Sequence, residues 1–433
     1  MEQPLGASGA KAWFHQFPAA LRQLALLRLV AALGSGGVLY LTPLVFHAAA
    51  FSAAAVTTGL ALAAVAGIFG RLGSGLLLDR GRRCSLPVLL AAGFAIAGDG
   101  VLLVAHSQAA FVLGQILLGS AVGLYWPAIE LAVPLCCAPQ PSARAFALVR
   151  SADACGIACG ALIGALLASI GWLRGIYWVD ILGLLGLVLL LLARPLPAAR
   201  SFRVAPPGGS WRQPLLPLLL ITLLATAMPA LLQSALPLDL VQGGLRRPAL
   251  AVGPGALLIG LQLALLLLLQ WPVGQALARR PVTTGLRLSL YGFSLGCLLL
   301  AGSALLPWGL ALVLAAQLPL ALAEAAFLPT ATETVLALTP AAHRGKAMAL
   351  FSQCFAVSAV LGPLLAGQLL DLQGHAVGLW MLMAGALLAG LVPLRQLELQ
   401  LEDQLEDQLE GQLAPQPLPA ARSGASLGAS ERS

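Results

Sequence analysis

Long apolar runs separated by short polar breaks constrain this chain more than any other feature. Apolar residues make up 59% of its 433 residues and charged residues only 9%, whereas a soluble domain carries about 25% charged residues. Each run is long enough for a helix that crosses a bilayer, which needs roughly 20 apolar residues. The chain is therefore expected to be an all-α integral membrane protein with twelve transmembrane helices.

The polar breaks divide the apolar runs into two sets of six. We predict helices at 22–47, 53–79, 86–106, 109–136, 145–170 and 174–193, and again at 214–238, 254–278, 284–306, 308–338, 345–370 and 375–394. The expected domains are an N-terminal segment (1–21), a six-helix bundle (22–193), a Pro-, Gly- and Arg-rich linker (194–213), a second six-helix bundle (214–396) and a tail (397–433). The tail repeats Gln-Leu-Glu-Asp before a polar end, which favours a disordered extension over an amphipathic, partner-binding helix.

The basic residues indicate how the helices are threaded. If the N-terminus is cytoplasmic, the 24 Lys and Arg residues all fall on the cytoplasmic side except Arg174, Arg246 and Arg247, as the positive-inside rule requires. The first twenty residues hold no apolar signal-peptide core. We therefore expect both termini in the cytoplasm and the chain in the inner (plasma) membrane. The net charge of +7 marks topology, and nucleic acid is not an expected partner.

The two sets of helices share spaced residues, which indicates an internal repeat. Gln115 and Pro127 in helix 4 have the same spacing as Gln317 and Pro329 in helix 10. Other matches recur at offsets of about 200 residues, as expected for duplicated halves of a transporter. Two related bundles predict a pseudo-symmetric molecule whose halves rock about a shared site.

A short stretch at the end of helix 2 carries a family resemblance. Gly75-Leu-Leu-Leu-Asp79-Arg80-Gly81-Arg82-Arg83 resembles the loop between helices 2 and 3 of the major facilitator superfamily, G-x-L-x-D-R-x-G-R-R, with one residue fewer after Arg80. The resemblance implies the twelve-helix facilitator fold, transport by alternating access, and a gating role for these residues. Asp79 would lie against the start of helix 11 in one state; the alternative is that it caps helix 2 and neutralises Arg80 or Arg83. The two glycines would permit close helix approach and a sharp reversal.

Two further signatures of that family are only partly kept. Gln115 stands where the family's helix 4 carries an Arg linked to proton coupling, four residues before Gly119. In helix 5, three glycines match part of an antiporter signature, but small residues four apart also pack membrane helices closely, and we favour that reading. The packing candidates are Gly156, Gly160 and Gly164, with Gly362 and Pro363 in helix 11.

Acidic residues inside the spans are the remaining candidates, because each costs roughly 2.5–3.5 kcal/mol at the centre of a span. Glu324 in helix 10 is the preferred protonatable or substrate-facing residue, on the same helix face as Gln317. Asp153 and Glu130 are proton-coupling candidates that could instead pair with Arg150 or Arg144. Asp99 and Asp180 are expected in structural pairs, Asp239 at the outer surface, and Glu333 paired with Arg344. A mixed polar and aromatic lining of the cavity, or packing between helices, is expected from Tyr40, Thr222, Thr226, Gln233, Gln262, Gln270 and Trp271.

The chain shows no enzyme signature. A P-loop, a metal-ligand spacing and a Ser/His/Asp set are all missing from the sequence, so we expect no catalysis, no cofactor and no metal. The seven cysteines lie in or beside apolar runs. We expect a monomeric secondary transporter in the lipid bilayer, with a small-molecule substrate and protons as partners. Efflux of amphipathic compounds is the first expectation; the alternatives are metabolite uptake by symport or uniport, and a membrane sensor that does not transport.

Overall fold

A computed structural model describes residues 14–138, 142–198, 212–277, 280–339 and 344–413. Within these ranges the chain is helical, and twelve of its helical stretches are long and apolar enough to cross a membrane. The helices are α1 (Ala19–Ala48), α2 (Ala53–Asp79), α3 (Ser85–Val104), α4 (Gln108–Cys136), α5 (Ser142–Ser169), α6 (Gly175–Ala193), α7 (Arg212–Gln242), α8 (Val252–Leu277), α9 (Val282–Ser303), α10 (Leu310–Leu338), α11 (Arg344–Gln373), α12 (Val377–Ala389) and α13 (Leu391–Leu413).

The predicted spans agree with the structure except at the end of the chain. The twelfth span breaks at Gly390 and continues through α13, so the apolar stretch covers Val377–Glu402 and the helix reaches Leu413. The expectation of a disordered tail was therefore wrong for residues 397–413. This segment contains mainly Leu, Gln and Glu, which are good helix formers, and Glu398 pairs with Arg287 of α9. Residues 414–433 lie outside the described ranges.

The helices form two bundles with matching contacts. In the first, α1 packs on α5, α2 on α4, and α3 on α4 and α6; in the second, α7 packs on α11, α8 on α10, and α9 on α10 and α12. Between the bundles, α2 packs on α11 and α5 packs on α8. Each of the named contacts within the first bundle has a counterpart in the second bundle, between the helices numbered six higher. This is the pseudo-symmetry that the repeat predicts.

Small residues let α5 lie directly on α1. A Cβ atom at Gly160 would stand 2.9 Å from the Leu33 carbonyl carbon and closer still to its oxygen, and one at Gly156 would stand 2.6 Å from the Ala32 Cβ. Gly164 faces Leu41 in the same row. At Gly362 the nearest side-chain atoms would be 3.8 Å away, so this glycine is not required for close packing, and Pro363 lies inside α11.

A buried ion pair closes the second bundle at the end opposite its linker. Asp239 and Arg247 are each 1% exposed in their side chains and lie 2.8 Å apart. The Trp380 indole N–H donates to the other Asp239 oxygen at 3.0 Å, and Arg247 donates to Ser303 Oγ at 2.6 Å. The expectation that Asp239 lies at the surface was wrong. Its carboxylate is stable in the interior because each of its two oxygens accepts a hydrogen bond and Arg247 balances its charge.

The packing of α5 on α1 generates a first prediction. In Gly160→Ala, the new methyl group meets backbone atoms that cannot rotate away, so overpacking should cost roughly 1–3 kcal/mol and lower the thermal unfolding midpoint of the detergent-purified protein. Gly93→Ala is the matched control, because a Cβ there meets nothing within 4 Å. In an exposed helix position the same change should be neutral or stabilising. Equal midpoints for the two variants would contradict the close approach.

Candidate functional site

The two ends of the molecule differ in charge and in how the bundles meet. We call the end that carries residues 80–84 and the linker the basic end, and the other the opposite end. One buried apolar cluster joins both bundles, and its members lie in the opposite half, among them Phe46, Phe111, Ala165, Ala256 and Ile259. In the part of the chain that the structure describes, two further buried apolar clusters reach into the basic half and each lies within one bundle, as do the three ion pairs. The bundles are therefore closed against each other at the opposite end.

A carboxylate on α11 caps the first turn of α2 across this closed end. Asp371 accepts hydrogen bonds from the backbone N–H groups of Ala53 (3.0 Å) and Ala54 (2.9 Å). Ser52 accepts from Ala55 N at 3.1 Å. The free N–H groups at a helix start carry partial positive charge, so an anion there is stabilised. Asp371 thus links the two bundles by charge-assisted hydrogen bonds.

The Gly75–Arg83 stretch forms a tight turn at the basic end. Gly81 has φ of +71°, and the Arg82 and Gly81 N–H groups donate to the Leu77 and Leu78 carbonyls, which is a Schellman helix ending. The predicted sharp reversal is therefore present. The close helix approach expected at Gly75 is absent, since a Cβ there would meet nothing within 4 Å.

The turn is attached to the start of the linker. The Cys84 N–H donates to the Pro197 carbonyl, and the Leu196 N–H donates to Ser85 Oγ at 2.6 Å. Arg80, Arg82 and Arg83 are exposed. The side chains of Asp79 and Arg344 fall outside what the structure describes, so the Asp79 contact with the start of helix 11 stays a prediction.

Midway between the ends, polar side chains from both bundles come together. Tyr40 of α1 lies within hydrogen-bonding reach of Gln233 of α7 and close enough to Glu324 of α10 for an electrostatic interaction. The structure therefore brings Glu324 to the interface between the bundles. No Lys or Arg side chain pairs with Glu324 among the described residues.

A pair of glutamines fixes α8 against α10 beside this group. With its amide oriented so that both groups are satisfied, Gln262 donates to the Gln317 side-chain oxygen (3.0 Å) and backbone oxygen (2.9 Å), and accepts from the Ala321 N–H. Gln317 in turn donates to the Val313 carbonyl at 2.9 Å. Both side chains are buried, so the pair orients α10 and does not offer free hydrogen-bonding groups to a solute.

The other expected cavity residues serve mainly to join helices. Thr226 of α7 and Ser358 of α11 share a hydrogen bond of 2.8 Å, and Thr222 donates to the Leu218 carbonyl of its own helix. Gln270 is half-buried on α8. The Trp271 side chain lies outside the described atoms.

The basic half of the first bundle contains a buried charged group that the sequence did not assign. Arg28 of α1 and Asp153 of α5 form an ion pair of 2.6 Å, with side chains only 7% and 17% exposed. The guanidinium carbon lies 4.0 Å from the Trp126 ring centroid and 5.0 Å from that of Tyr125, within the range of cation–π attraction. Asp153 was expected to pair with Arg150 or Arg144; its observed partner is Arg28, which projects from the facing helix.

The remaining acidic and polar candidates lie elsewhere. Glu130 is exposed and interacts with Arg71 of α2, while the Arg144 side chain lies outside the described atoms; Glu333 is also exposed. Gln115 is buried, and its amide nitrogen has no partner among the described atoms. Asp99 of α3 and Asp180 of α6 are buried within hydrogen-bonding reach of each other, a contact that is attractive only when one carboxyl carries a proton.

Two functional candidates were missed for different reasons. Arg28 was read as a topology marker, although its position nine residues into an apolar helix is itself a signal of a buried charge. Asp371 sits near the end of α11, where an acidic residue looks like an ordinary surface group. Only the packing of α2 on α11 gives it a partner.

Comparisons with known proteins agree with this architecture. A sequence model of the Major Facilitator Superfamily matches residues 24–314. The uncharacterized transporter YgaY of Escherichia coli, from strains K12 and O157:H7, is 31% identical over 160 residues, which cover 36% of this chain. The chain matches 38% of the length of these curated relatives.

Solved transporter structures share the fold. The nucleoside transporter NupG superposes with a TM-score of 0.71 at 15% identity, covering 88% of this chain and 99% of that chain. A POT family transporter in complex with 5-aminolevulinic acid gives a TM-score of 0.75 at 11% identity, covering 90% and 96%. At such identities the likeness concerns the fold alone.

The Arg28–Asp153 pair generates a second prediction. In Arg28→Gln the Asp153 carboxylate loses its counter-ion inside the bundle, which should cost roughly 3–5 kcal/mol. The double variant Arg28→Gln/Asp153→Asn should lose less, because no uncompensated charge remains. Thermal unfolding in detergent is measured for four proteins: wild type, Arg28→Gln, Asp153→Asn and the double variant. The exposed Arg287–Glu398 pair is the control, since its removal should cost at most about 1 kcal/mol. Additive losses for Arg28 and Asp153 would refute the coupling.

Proposed function

Because the chain belongs to the major facilitator superfamily and is a multi-pass membrane transporter, we propose that it moves small amphipathic solutes by alternating access, coupled to a proton gradient. The single observation that carries this proposal is the one-sided closure of the two bundles. They meet through a shared apolar cluster and the Asp371 cap in the opposite half. Two pseudo-symmetric bundles joined at one end are suited to rocking about a site between them.

The orientation follows from the positive-inside rule. With the basic end in the cytoplasm, the described state is closed to the outside. In the proposed efflux cycle, a solute would enter from the cytoplasm in this state and leave after the bundles rock. In the other state the turn at Gly81 would approach the start of α11, and the exposed Arg82 and Arg83 would form part of the inner gate.

Glu324 is the proposed proton carrier. It lies midway along α10 and faces Tyr40 of the other bundle, and no basic side chain among the described residues neutralises it. A carboxyl group in such surroundings can be neutral or charged depending on which side it faces, and a cationic or polar solute can compete with its proton. Gln233 and Tyr40 would sense the exchange across the interface.

Transport is tested directly in proteoliposomes. Purified protein is reconstituted with a pH-sensitive dye inside, and a panel of amphipathic compounds is applied with and without a pH gradient. Compound-dependent proton movement against the direction of compound movement supports antiport. Proton movement in the same direction indicates symport, compound movement without protons indicates a uniporter, and no movement for any compound contradicts the proposal.

The Asp371 cap generates a third prediction. Asp371→Ala removes both hydrogen bonds to α2, and charged hydrogen bonds of this kind contribute roughly 1.5–3 kcal/mol each. The opposite end should therefore open more often, by about tenfold or more in the population ratio. Spin labels at cysteines replacing His106 and Leu305, in a chain without other cysteines, report the distance between the bundles. Asp371→Asn should lie between Ala and wild type, and Glu333→Gln should leave the distances unchanged. An unaltered distance distribution in Asp371→Ala would rule out the latch.

Glu324 generates a fourth prediction. Glu324→Gln keeps the size of the side chain and cannot release a proton. Net transport driven by a pH gradient should fall to background, whereas exchange of labelled for unlabelled solute should persist, because exchange needs no net proton transfer. Both rates are measured in the same proteoliposomes. The control is Glu333→Gln, which changes an exposed carboxylate on the same helix. Gradient-driven transport that survives in Glu324→Gln would exclude this carboxyl as the proton site.

A further inference from the structure

A narrow cleft opens in the basic half of the first bundle, beside the Arg28–Asp153 pair. It lies between α1, α4 and α5, and four charged side chains line it: Arg28, Glu130, Arg150 and Asp153. Its remaining walls are apolar, with the Trp126 and Phe146 rings and three aliphatic side chains. The cleft holds about 20 Å³ of free volume, where one water molecule needs roughly 10–15 Å³. There is room for a small polar head group and not for a ring.

Two arginines and two acidic residues line the cleft, so their charges sum to zero, but they are not all paired with one another. Arg28 is neutralised by Asp153 at 2.6 Å, and Glu130 interacts with Arg71. Arg150 is exposed and has no acidic partner within 4.0 Å among the described residues. It lies close enough to Asp153 for an electrostatic interaction, but that carboxylate already has a partner. Among the described residues, the Arg150 guanidinium therefore has no ion-pair partner of its own at the cleft.

We propose that this cleft binds the carboxylate head group of an amphipathic organic anion. Arg150 supplies the unmatched charge, and Arg28 supplies a second, buried guanidinium whose planar donors suit a carboxylate. The Arg28 guanidinium is held in place by Asp153 and by the face of Trp126, so it is preorganised for a ligand. The apolar body of the anion would extend out of the cleft along Trp126 and Phe146.

The position of the cleft suits a site where a solute binds before it is transported. The purpose of this site rests on the transport function proposed above, whereas the binding itself does not. The cleft lies in the basic half, where two buried apolar clusters of the described residues each belong to one bundle. It therefore accepts a solute from the end that is not closed. Glu324 stands farther along the path, at the interface between the bundles, so head-group recognition and proton binding occupy different places.

The ligand class is tested by equilibrium dialysis of the full-length protein in a neutral detergent. The probes share one apolar body: 2-naphthoate, 2-naphthamide and 2-naphthylmethylamine. Acetate supplies the head group alone. The proposal predicts that naphthoate binds about tenfold or more tightly than the amide, and more tightly than both the amine and acetate. Each probe's partition into protein-free micelles is measured and subtracted, and equal binding of the naphthyl probes after that subtraction would overturn the proposal.

Matched variants locate the binding site. Arg150→Gln alters an exposed side chain and should weaken naphthoate binding by about tenfold while leaving naphthamide unchanged. Arg28→Lys keeps the buried charge and should also weaken naphthoate, because lysine lacks the planar fork. Arg287→Gln, at the basic end of the other bundle, should have no effect. If Arg150→Gln and Arg287→Gln bind naphthoate equally well, the cleft is not the site. The binding experiment applies no proton gradient. A negative binding result would therefore not contradict the proton-coupled transport that is measured in proteoliposomes.

Discussion

The contact between the Asp371 carboxylate and the first turn of α2 holds the two bundles in the observed relationship. A helix start presents free N–H groups that must find acceptors, and here the first two are satisfied by the other bundle, at 3.0 and 2.9 Å, while the third is satisfied locally by Ser52. The symmetry-related contact of α5 with α8 has no such charge; there Gly253 faces Ser169 and Gly260 faces Leu162. Closure of the opposite end therefore depends on packing between α5 and α8, and on packing together with the Asp371 charge between α2 and α11.

Among the described residues, several buried charged side chains pair with donors or with an opposite charge, whereas Glu324, Asp99 and Asp180 have no basic partner. Arg28 has Asp153, and Asp239 has Arg247 and Trp380. Arg174 donates to the last carbonyls of α3, including Ala105 at 2.7 Å. Each of these groups offsets its desolvation cost by local pairing. Glu324 lacks a basic partner in the described part of the chain, and it lies where both bundles meet. The desolvation cost of the Glu324 carboxylate is not offset by a basic partner among the described residues, which is the pattern expected of a group retained for function.

The sequence alone predicted the features that follow from the order of residues along the chain. It did not predict the features that depend on which side chains meet in the folded structure. Apolar length fixed the spans, and duplicated spacings gave the two-bundle symmetry. The positive φ of Gly81 could be foreseen from its place in a basic turn. The partner of Asp153 could not, because the choice between Arg150 on its own helix and Arg28 on α1 depends on how α5 lies on α1. Asp239 was misplaced for the same reason: its buried position depends on Arg247 and Trp380 arriving from other segments. The helix through Leu413 was missed because its acidic composition resembles that of a solvated tail.

Alternating access requires that contacts at the two ends nearly balance, because a state favoured by more than a few kcal/mol would trap the carrier. In the closed opposite end, the Asp371 cap and the shared apolar cluster supply the stabilisation. The basic end carries groups that could stabilise the other closed state, namely exposed arginines on a Schellman turn. Hydrogen bonds of Cys84 and Ser85 tie this turn to the linker. A turn fixed in this way moves with its bundle as one body, so gating needs no local unfolding. In the proposed cycle, rocking would exchange one set of helix-end electrostatic contacts for another, and the loss of the Asp371 bonds would set how much the proposed inner gate must contribute.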